Sequence, residues 1–419
     1  MFDPQAAADD LRNGWIHIDV VFPILLLAGS SIVQHALAQL AGGIISPVAF
    51  SFGWVAYAFS ALLSVGRGNL MPSDSTCLVI NAKTGYSRVG ERWILNRILD
   101  DYEYWMDPRV RTRMLQIQEE VKIHDQHKLW KGEPQSITGP SASLRPRVGL
   151  CVSIYEAGFN SEAGRPALDF LFYSGIGTTL VQLGIAAIPV GIYGDWSIIM
   201  ITAIGTALSY ATGSLPQWKN EKWACRRHSR KTVILTKGNG AQHAIVIFGN
   251  GHGLDLEDLA APNDLPRKSL DMTSVALVVF AFLWSALLIT VAGKKENVWY
   301  LVAVCGLGTL QNVFVANFRR HPSAYGIHLN FVEIIARPKV MDTLVLVEEK
   351  YANVGRSMLE VFFPGNLRPN EQDKWDELRQ RAEAYNREKV RDRPLEASRV
   401  SAFPMLAAAS GVVDIEPRG

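Results

Sequence analysis

From Val20 to Gly66 the chain carries no Asp, Glu, Lys or Arg. One bilayer crossing takes roughly 20 consecutive apolar residues, so this tract is long enough for two. Two further pairs of uncharged stretches follow. Phe170 to Gly194 and Trp196 to Trp218 are separated by Asp195 alone, and Met272 to Gly293 and Asn297 to Phe318 by Lys294, Lys295 and Glu296. Backbone in hydrocarbon must satisfy its own hydrogen bonds, which predicts helices. The fold class read from this pattern is an α-helical polytopic membrane protein with six transmembrane helices in three hairpins: residues 20–66, turning near Gly42–Gly43, residues 170–218 and residues 272–318. Buried core helices are the alternative, but such helices seldom reach this length without a charge. A cleaved signal peptide does not fit either, because the leader holds Asp3, Asp9 and Asp10 against Arg12 alone.

Three hairpins put both termini on one side. The short turns hold only Lys294 and Lys295. The span ends on the other side carry Arg12, Arg67, Arg165, the cluster from Lys219 to Lys231, Arg267, Lys268, Arg319 and Arg320. The positive-inside rule then makes the N-terminus (residues 1–19), the C-terminus and every long loop cytosolic. Trp15, Trp196, Trp218 and Trp299 fall at span ends, as interfacial aromatics do. Overall charge is nearly balanced, 42 basic against 40 acidic residues, which excludes nucleic acid as a partner. The 48% hydrophobic and 10% aromatic content excludes a disordered chain. Cys77, Cys151, Cys225 and Cys305 are scattered without a CxxC or zinc-type spacing, which suits reduced thiols, and no Asn-x-Ser/Thr sequon marks a lumenal loop.

The charged remainder reads as a discontinuous cytosolic α+β domain built from residues 67–169, 219–271 and 319–399, with residues 400–419 as a flexible tail. Cys77–Asn81 and Val148–Tyr155 are predicted strands, and Glu91–Trp105 is a helix with Ile94, Ile98, Leu99 and Tyr102 on its apolar face. A second helix follows Pro108, and residues 131–146 are a loop. Thr232–Thr236 and His243–Phe248 flank Asn239-Gly240, a hairpin signal, and Asp255 caps a short helix. After a strand over Ile327–Ile335, the apolar residues from Val340 to Val361 form one helical seam. The segment from Glu371 to Arg391, with i, i+4 pairs Glu377–Arg381 and Glu383–Arg387, is a solvated helix.

Four features are candidates for chemistry. The acidic runs Asp100-Asp101-Tyr-Glu103 and Asp255-Leu-Glu257-Asp258 supply Asp100, Asp101, Asp255 and Asp258 as candidate Mg²⁺ ligands for a diphosphate. Helix-end charges and caps explain the same residues structurally. The glycine turns Gly238-Asn-Gly240 and Gly249-Asn-Gly-His-Gly253 are either phosphate cradles or hairpin turns. The basic cluster Lys219, Lys222, Arg226, Arg227, Arg230 and Lys231 suits anionic lipid headgroups or an anionic ligand. Inside the spans lie Gln34, His35, Gln39, Gln182, Gln311 and Asn312, which serve either a cavity or interhelical hydrogen bonds. With no Asp, Glu, Lys or Arg in any predicted span, a proton-driven pump or an ion channel is disfavoured.

The stretches Ser214-Leu-Pro-Gln-Trp-Lys219, Lys222-Trp-Ala-Cys-Arg-Arg227, Lys231-Thr-Val-Ile-Leu-Thr-Lys-Gly-Asn-Gly240 and Gly253-Leu-Asp-Leu-Glu-Asp-Leu-Ala-Ala261 resemble a group of polytopic membrane proteins of filamentous fungi, some associated with secondary-metabolite gene clusters. The resemblance runs from the first span through the third hairpin and implies a location and a pathway context, but no catalytic residue. Three function classes follow. One is a cyclase-type biosynthetic enzyme acting on a membrane-dissolved terpenoid or polyketide, with His35, Asp101 and Asp258 as acid, base or Mg²⁺ ligands. The second is a carrier of an apolar metabolite. The third is a non-catalytic scaffold that tethers cytosolic protein partners at the lipid bilayer.

Overall fold

A computed structural model describes residues 21–65, 70–72, 76–130, 149–158, 164–166, 168–261, 267–294, 296–365 and 367–391. In chain order the elements are helices α1 (Val21–Leu40) and α2 (Gly53–Val65), strands β1 (Cys77–Asn81) and β2 (Ser87–Gly90), helices α3 (Trp93–Asp100), α4 (Tyr102–Trp105) and α5 (Pro108–Trp130), and strand β3 (Cys151–Ala157). Helices α6 (Phe170–Tyr193), α7 (Ser197–Gly213) and α8 (Pro216–Lys222) lead into strands β4 (Arg227–Ser229), β5 (Thr232–Thr236), β6 (His243–Phe248) and β7 (Gly253–Leu254) and the short α9 (Leu256–Leu259). Then come α10 (Arg267–Ala292), α11 (Val298–Asn317), β8 (Leu329–Ala336), α12 (Val340–Lys350), α13 (Val354–Phe362) and α14 (Pro369–Arg391).

Four helices among the described residues are long and apolar enough to cross a membrane: Phe170–Tyr193, Ser197–Lys222, Leu270–Ala292 and Val298–Asn317. They coincide with the second and third predicted pairs. One boundary moves. The second of these stretches runs on past Trp218 through α8, where Glu221 and Lys222 are 2% and 1% exposed, so the apolar tract ends in buried charged residues. Trp218 is fully buried rather than interfacial, whereas Trp196 and Trp299 are exposed. Their position fits the membrane boundary predicted for them, and Trp15 lies outside the described residues.

The first tract is not a pair of matched helices. α1 has 20 residues, α2 only 13, and residues 45–51 between them are not helical. That segment is buried throughout, from Ser46 to Phe52. Non-helical backbone at membrane depth survives only when protein groups satisfy it. Here they come from helices far away in sequence. Asn312 of α11 accepts from the Ala49 N–H (3.1 Å) and donates to the Ala49 carbonyl (3.0 Å) and the Ser51 hydroxyl (3.1 Å). Gln182 of α6 donates to the carbonyls of Phe50 and Val304, both at 2.8 Å. The Ser46 hydroxyl donates to the Gly213 carbonyl (2.8 Å) and the Trp54 indole to Ala49 (2.9 Å). Glycines make the room. A Cβ on Gly308 would stand 1.8 Å from the Phe50 oxygen, and one on Gly175 would stand 2.1 Å from the Pro47 oxygen.

The path of this segment follows from its neighbours. Ser46 sits at Gly213, the end of α7 nearest the sheet. Phe52 and Val55 line a small cavity with Val291 and Leu301, within one turn of the opposite ends of α10 and α11. Seven extended residues at about 3.3 Å each reach about 23 Å, and 13 helical residues at about 1.5 Å each return about 20 Å. The two legs match, and the return ends where the Glu221 carboxylate receives the N–H groups of Leu70 and Met71. α1 crosses α2 with Gly29 against Gly53, an approach that leaves no space for a side chain at either position.

The sheet order is β2-β1-β5-β6-β3-β8. Pairings are antiparallel except β3 with β6, and β3 carries a bulge at Ile154/Tyr155 against β8. β4 and β7 form a separate two-stranded piece. One face of the large sheet, with Val79, Val233, Leu235, Ile245 and Ile247, packs on α3, α4, α9 and Ala38 of α1. The other face, with Ile80, Ile234 and Val246, turns toward α12 and α13. The predicted hairpin and the strand Cys77–Asn81 stand at the expected residues, while β2 and β4 carry no alternation to announce them. Two predicted helices divide. Residues 91–105 break at Asp101, and the seam from Val340 to Val361 breaks at Asn353, whose φ of 70° is left-handed. The Glu348 carboxylate then caps the new start, accepting from Asn353 N (2.8 Å) and Arg356 N (2.9 Å). α14 belongs to a separate compact unit beginning at Leu367. It contains the predicted Glu377–Arg381 pair and an Arg379–Glu383 pair, while Arg387, residues 131–146 and residues 400–419 lie outside the described side chains.

Candidate functional site

The long apolar helices and the sheet meet at a buried cationic junction. The Lys222 ammonium donates to the carbonyls of Ala38 (2.9 Å), Gln39 (3.2 Å) and Ala41 (2.9 Å), which are exposed by the end of α1. The rings of Trp93, Trp223 and Tyr325 surround it at 5.5–5.8 Å. Arg320 donates to Gln39 O (2.7 Å) and to Asp169 (2.8 Å), and the Tyr325 hydroxyl donates to the Gln39 side chain (2.9 Å). Lys222 is therefore not a lipid-headgroup ligand. Its charge is consumed inside the protein.

Beside this junction an open cleft of about 290 Å³ is lined by Ser31, Ile32 and His35 of α1, Trp93, Asn96, Arg97 and Asp100 of α3, and Ala316 and Asn317 of α11. Two of the candidates, His35 and Asp100, lie far apart in sequence and share this cleft. His35 Nδ1 meets the Ser31 carbonyl at 2.8 Å. A carbonyl only accepts, so in the neutral ring Nδ1 carries the hydrogen and Nε2 is left as the acceptor. Asp100 pairs with Lys237 at 2.7 Å, and both are about half exposed. Asp101 points the other way and is buried. It accepts from Arg97 Nε (2.9 Å) and Arg320 N (3.3 Å). Burial raises its carboxyl above the usual range, and the Arg97 charge opposes that rise. Asp101 thus positions Arg97 at the back of the cleft.

The second acidic run lies elsewhere. Asp255 caps α9, accepting from Asp258 N at 3.1 Å. Asp258 takes Arg226 (2.8 Å), which holds its carboxyl below the usual range, and Lys231 bridges Asp255 and Glu257 at 3.0 and 2.7 Å. Among the described residues no group of three or more His, Cys, Asp or Glu gathers as a metal site. The four aspartates proposed as Mg²⁺ ligands are each matched to Arg or Lys, so this donor set does not fit a diphosphate-bound metal. In the basic cluster, Arg226 and Lys231 hold those carboxylates, and Lys219, Arg227 and Arg230 are exposed. The glycine turns are hairpin turns. Gly238 and Gly240 have φ of 90° and 83°, and the N–H groups of Gly249, Gly251, His252 and Gly253 are bonded to nearby carbonyls.

Three contributors escaped the sequence reading: Arg97 and Asn317 in the cleft, and the role of Gln182 and Asn312 as supports for non-helical backbone. The polar residues in the spans were the available signal, but nothing local tells which backbone they serve. No family model, curated protein or solved structure matches the chain.

Proposed function

We propose that the chain is an integral membrane component of the biosynthesis of a hydrophobic metabolite, terpenoid or polyketide, and acts as a cyclase-type enzyme on an intermediate dissolved in the bilayer. The observation that carries this reading is the shared cleft of His35 and Asp100, at the level where α1 leaves the bundle for the sheet domain. An apolar substrate reaches it from the membrane side, and its polar end meets Arg97, Asp100 and Asn317. His35 Nε2 is the proton acceptor, with the ring held by Ser31. The chemistry is proton transfer.

In this reading the long loops are cytosolic, but the first tract supplies one crossing, α1, and a re-entrant hairpin instead of two crossings. Five crossings place the N-terminus opposite the sheet domain. The leader's Asp3, Asp9, Asp10 and Asp19 against Arg12 suit the side poor in positive charge. Tags at the two termini, probed in intact and permeabilised cells, separate five crossings from six.

A carrier of an apolar metabolite is the second reading. It rests on the buried segment from Ser46 to Phe52, because transporters build midplane sites from interrupted helices. Metabolite profiling of cells expressing His35→Ala distinguishes the two. An uncyclised precursor that accumulates in place of product supports the enzyme. An unchanged product that is retained inside cells supports the carrier and overturns the enzyme.

A further inference from the structure

On the sheet face turned away from α1, a second cleft of about 620 Å³ opens at the end of β1 and β5 beside the α12–α13 turn. Its volume is within the range of small-molecule sites, about 300–1,000 Å³. Its chemistry is one-sided. Lys83, Arg230, Lys231 and Lys350 line it, and no Asp or Glu does. Two of these cations are already matched: Lys231 to Asp255 and Glu257, and Lys350 to Glu333. Lys83 and Arg230 are exposed, and among the described residues neither has an acidic partner within ion-pair distance. The cleft therefore carries surplus positive charge on two long side chains from different connections, Lys83 in the β1–β2 turn and Arg230 between β4 and β5.

The floor is aromatic. Phe248 and Tyr351 lie with ring centroids 5.3 Å apart at 41°, both partly exposed. The Tyr351 hydroxyl is held by Glu333, which fixes the ring. Asn81, Thr232 and Asn353 add neutral polar groups around the rim. Cations that prefer phosphate or carboxylate, set around an aromatic platform that stacks a planar ring, form a recognisable combination. We infer that this cleft binds a soluble anionic ligand of the nucleotide class, a phosphate-bearing group joined to a planar ring. Arg230 and Lys83 hold the anion, and Phe248 with Tyr351 stacks the ring. Arg230 and Lys231 then belong to a ligand site on the distal face of the sheet and not to the membrane surface.

Phosphate chemistry is shared with lipid headgroups, so the test has three arms. Full-length protein in neutral detergent is titrated calorimetrically with ATP, with inorganic phosphate and with phosphatidic-acid nanodiscs. The expected result is saturable ATP binding, weaker phosphate binding at the same site, and a tenfold or larger loss of ATP affinity in Lys83→Ala/Arg230→Ala. Both side chains are exposed, so the double variant keeps its thermal midpoint, and Lys219→Ala binds like the parent. Phe248→Leu, which keeps the apolar volume, should bind ATP no better than phosphate. The inference is overturned if ATP does not saturate, if the double variant binds ATP like the parent, or if only the nanodiscs bind.

Discussion

The Lys222 ammonium donates to the Ala41 carbonyl at 2.9 Å, joining the end of the second span-length helix to the chain just past α1. Two more α1 carbonyls use the same nitrogen. A lysine that is 1% exposed has exchanged its water entirely for carbonyls and ring faces. Lys222→Ala leaves the carbonyls of Ala38 and Ala41 without this donor, while the Gln39 carbonyl keeps Arg320. At about 1–3 kcal/mol for each unsatisfied group, with partial relief by entering water, the expected loss is about 3 kcal/mol. Thermal unfolding in detergent measures it. Lys222→Arg should not restore the parent midpoint, because a planar guanidinium does not fit among three rings arranged around a point charge.

Gly308 tests the re-entrant segment. A methyl group there meets the Phe50 carbonyl oxygen at 1.8 Å, and that carbonyl cannot retreat without losing Gln182. Gly308→Ala should cost about 3 kcal/mol, the upper range for overpacking. A methyl group on Gly306 of the same helix would have nothing within 4 Å, so Gly306→Ala should be neutral or stabilise by about 0.5–1 kcal/mol. If both variants unfold alike, the segment does not lie against α11.

Asn312 tests the same segment from the polar side. It makes two hydrogen bonds to the non-helical backbone of Ala49 and one to the Ser51 hydroxyl. Asn312→Leu strands the Ala49 N–H, while the Ala49 carbonyl keeps the Trp54 indole, and should cost about 1–3 kcal/mol. In a double-mutant cycle with Gln182→Leu the effects should be non-additive, because both side chains hold one strand in place.

These two sites also show what the sequence could and could not reveal. Freedom from charge reports the solvent around a segment, and it located the second and third helix pairs. It is blind to whether an uncharged backbone bonds to itself or to side chains 130 or more positions away, which is where Ala49 and Phe50 find Gln182 and Asn312. The seam from Val340 to Val361 kept its period through the break at Asn353, because both helices turn the same kind of face to the sheet. A single left-handed residue interrupts the chain without interrupting the pattern. The hairpin Thr232–Phe248 was legible because its turn and its pairing are local. The cleft was only half legible. His35 stood out as an ionisable group in an apolar tract, but its proximity to Asp100 depends on how α3 lies over α1 and α11.

His243 gives the sheet domain a pH dependence. Its ring packs against Tyr102 with centroids 4.9 Å apart, and neither ring nitrogen has a hydrogen-bond partner among the described residues. Burial lowers its pKa below the usual histidine value, and His321 and His328 are shifted the same way by the same cause. The unfolded chain, with histidine near 6.5, therefore binds protons that the folded domain refuses. Stability is full above that value and falls as the pH drops below it. His243→Phe keeps the aromatic contact and removes the titration. Its unfolding midpoint between pH 7 and pH 5 should fall less than the parent's, and equal slopes would remove His243 from the account.

Asp100 and Asp101 separate function from architecture within one dipeptide. The Asp100–Lys237 pair is about half exposed on both sides, so Asp100→Ala should change stability by no more than about 0.5 kcal/mol. Asp101 is 4% exposed and links Arg97 to the Arg320 backbone, so Asp101→Ala should cost about 1–3 kcal/mol by leaving the buried Arg320 N–H and the partly buried Arg97 guanidinium without their acceptor. Metabolite profiles read beside thermal midpoints then separate the roles. A loss of product in Asp100→Ala at an unchanged midpoint places Asp100 at the reacting end of the cleft with His35. Product that survives Asp100→Ala and His35→Ala but fails in Asp101→Ala in proportion to the lost stability would show that the cleft only joins the sheet to the membrane helices.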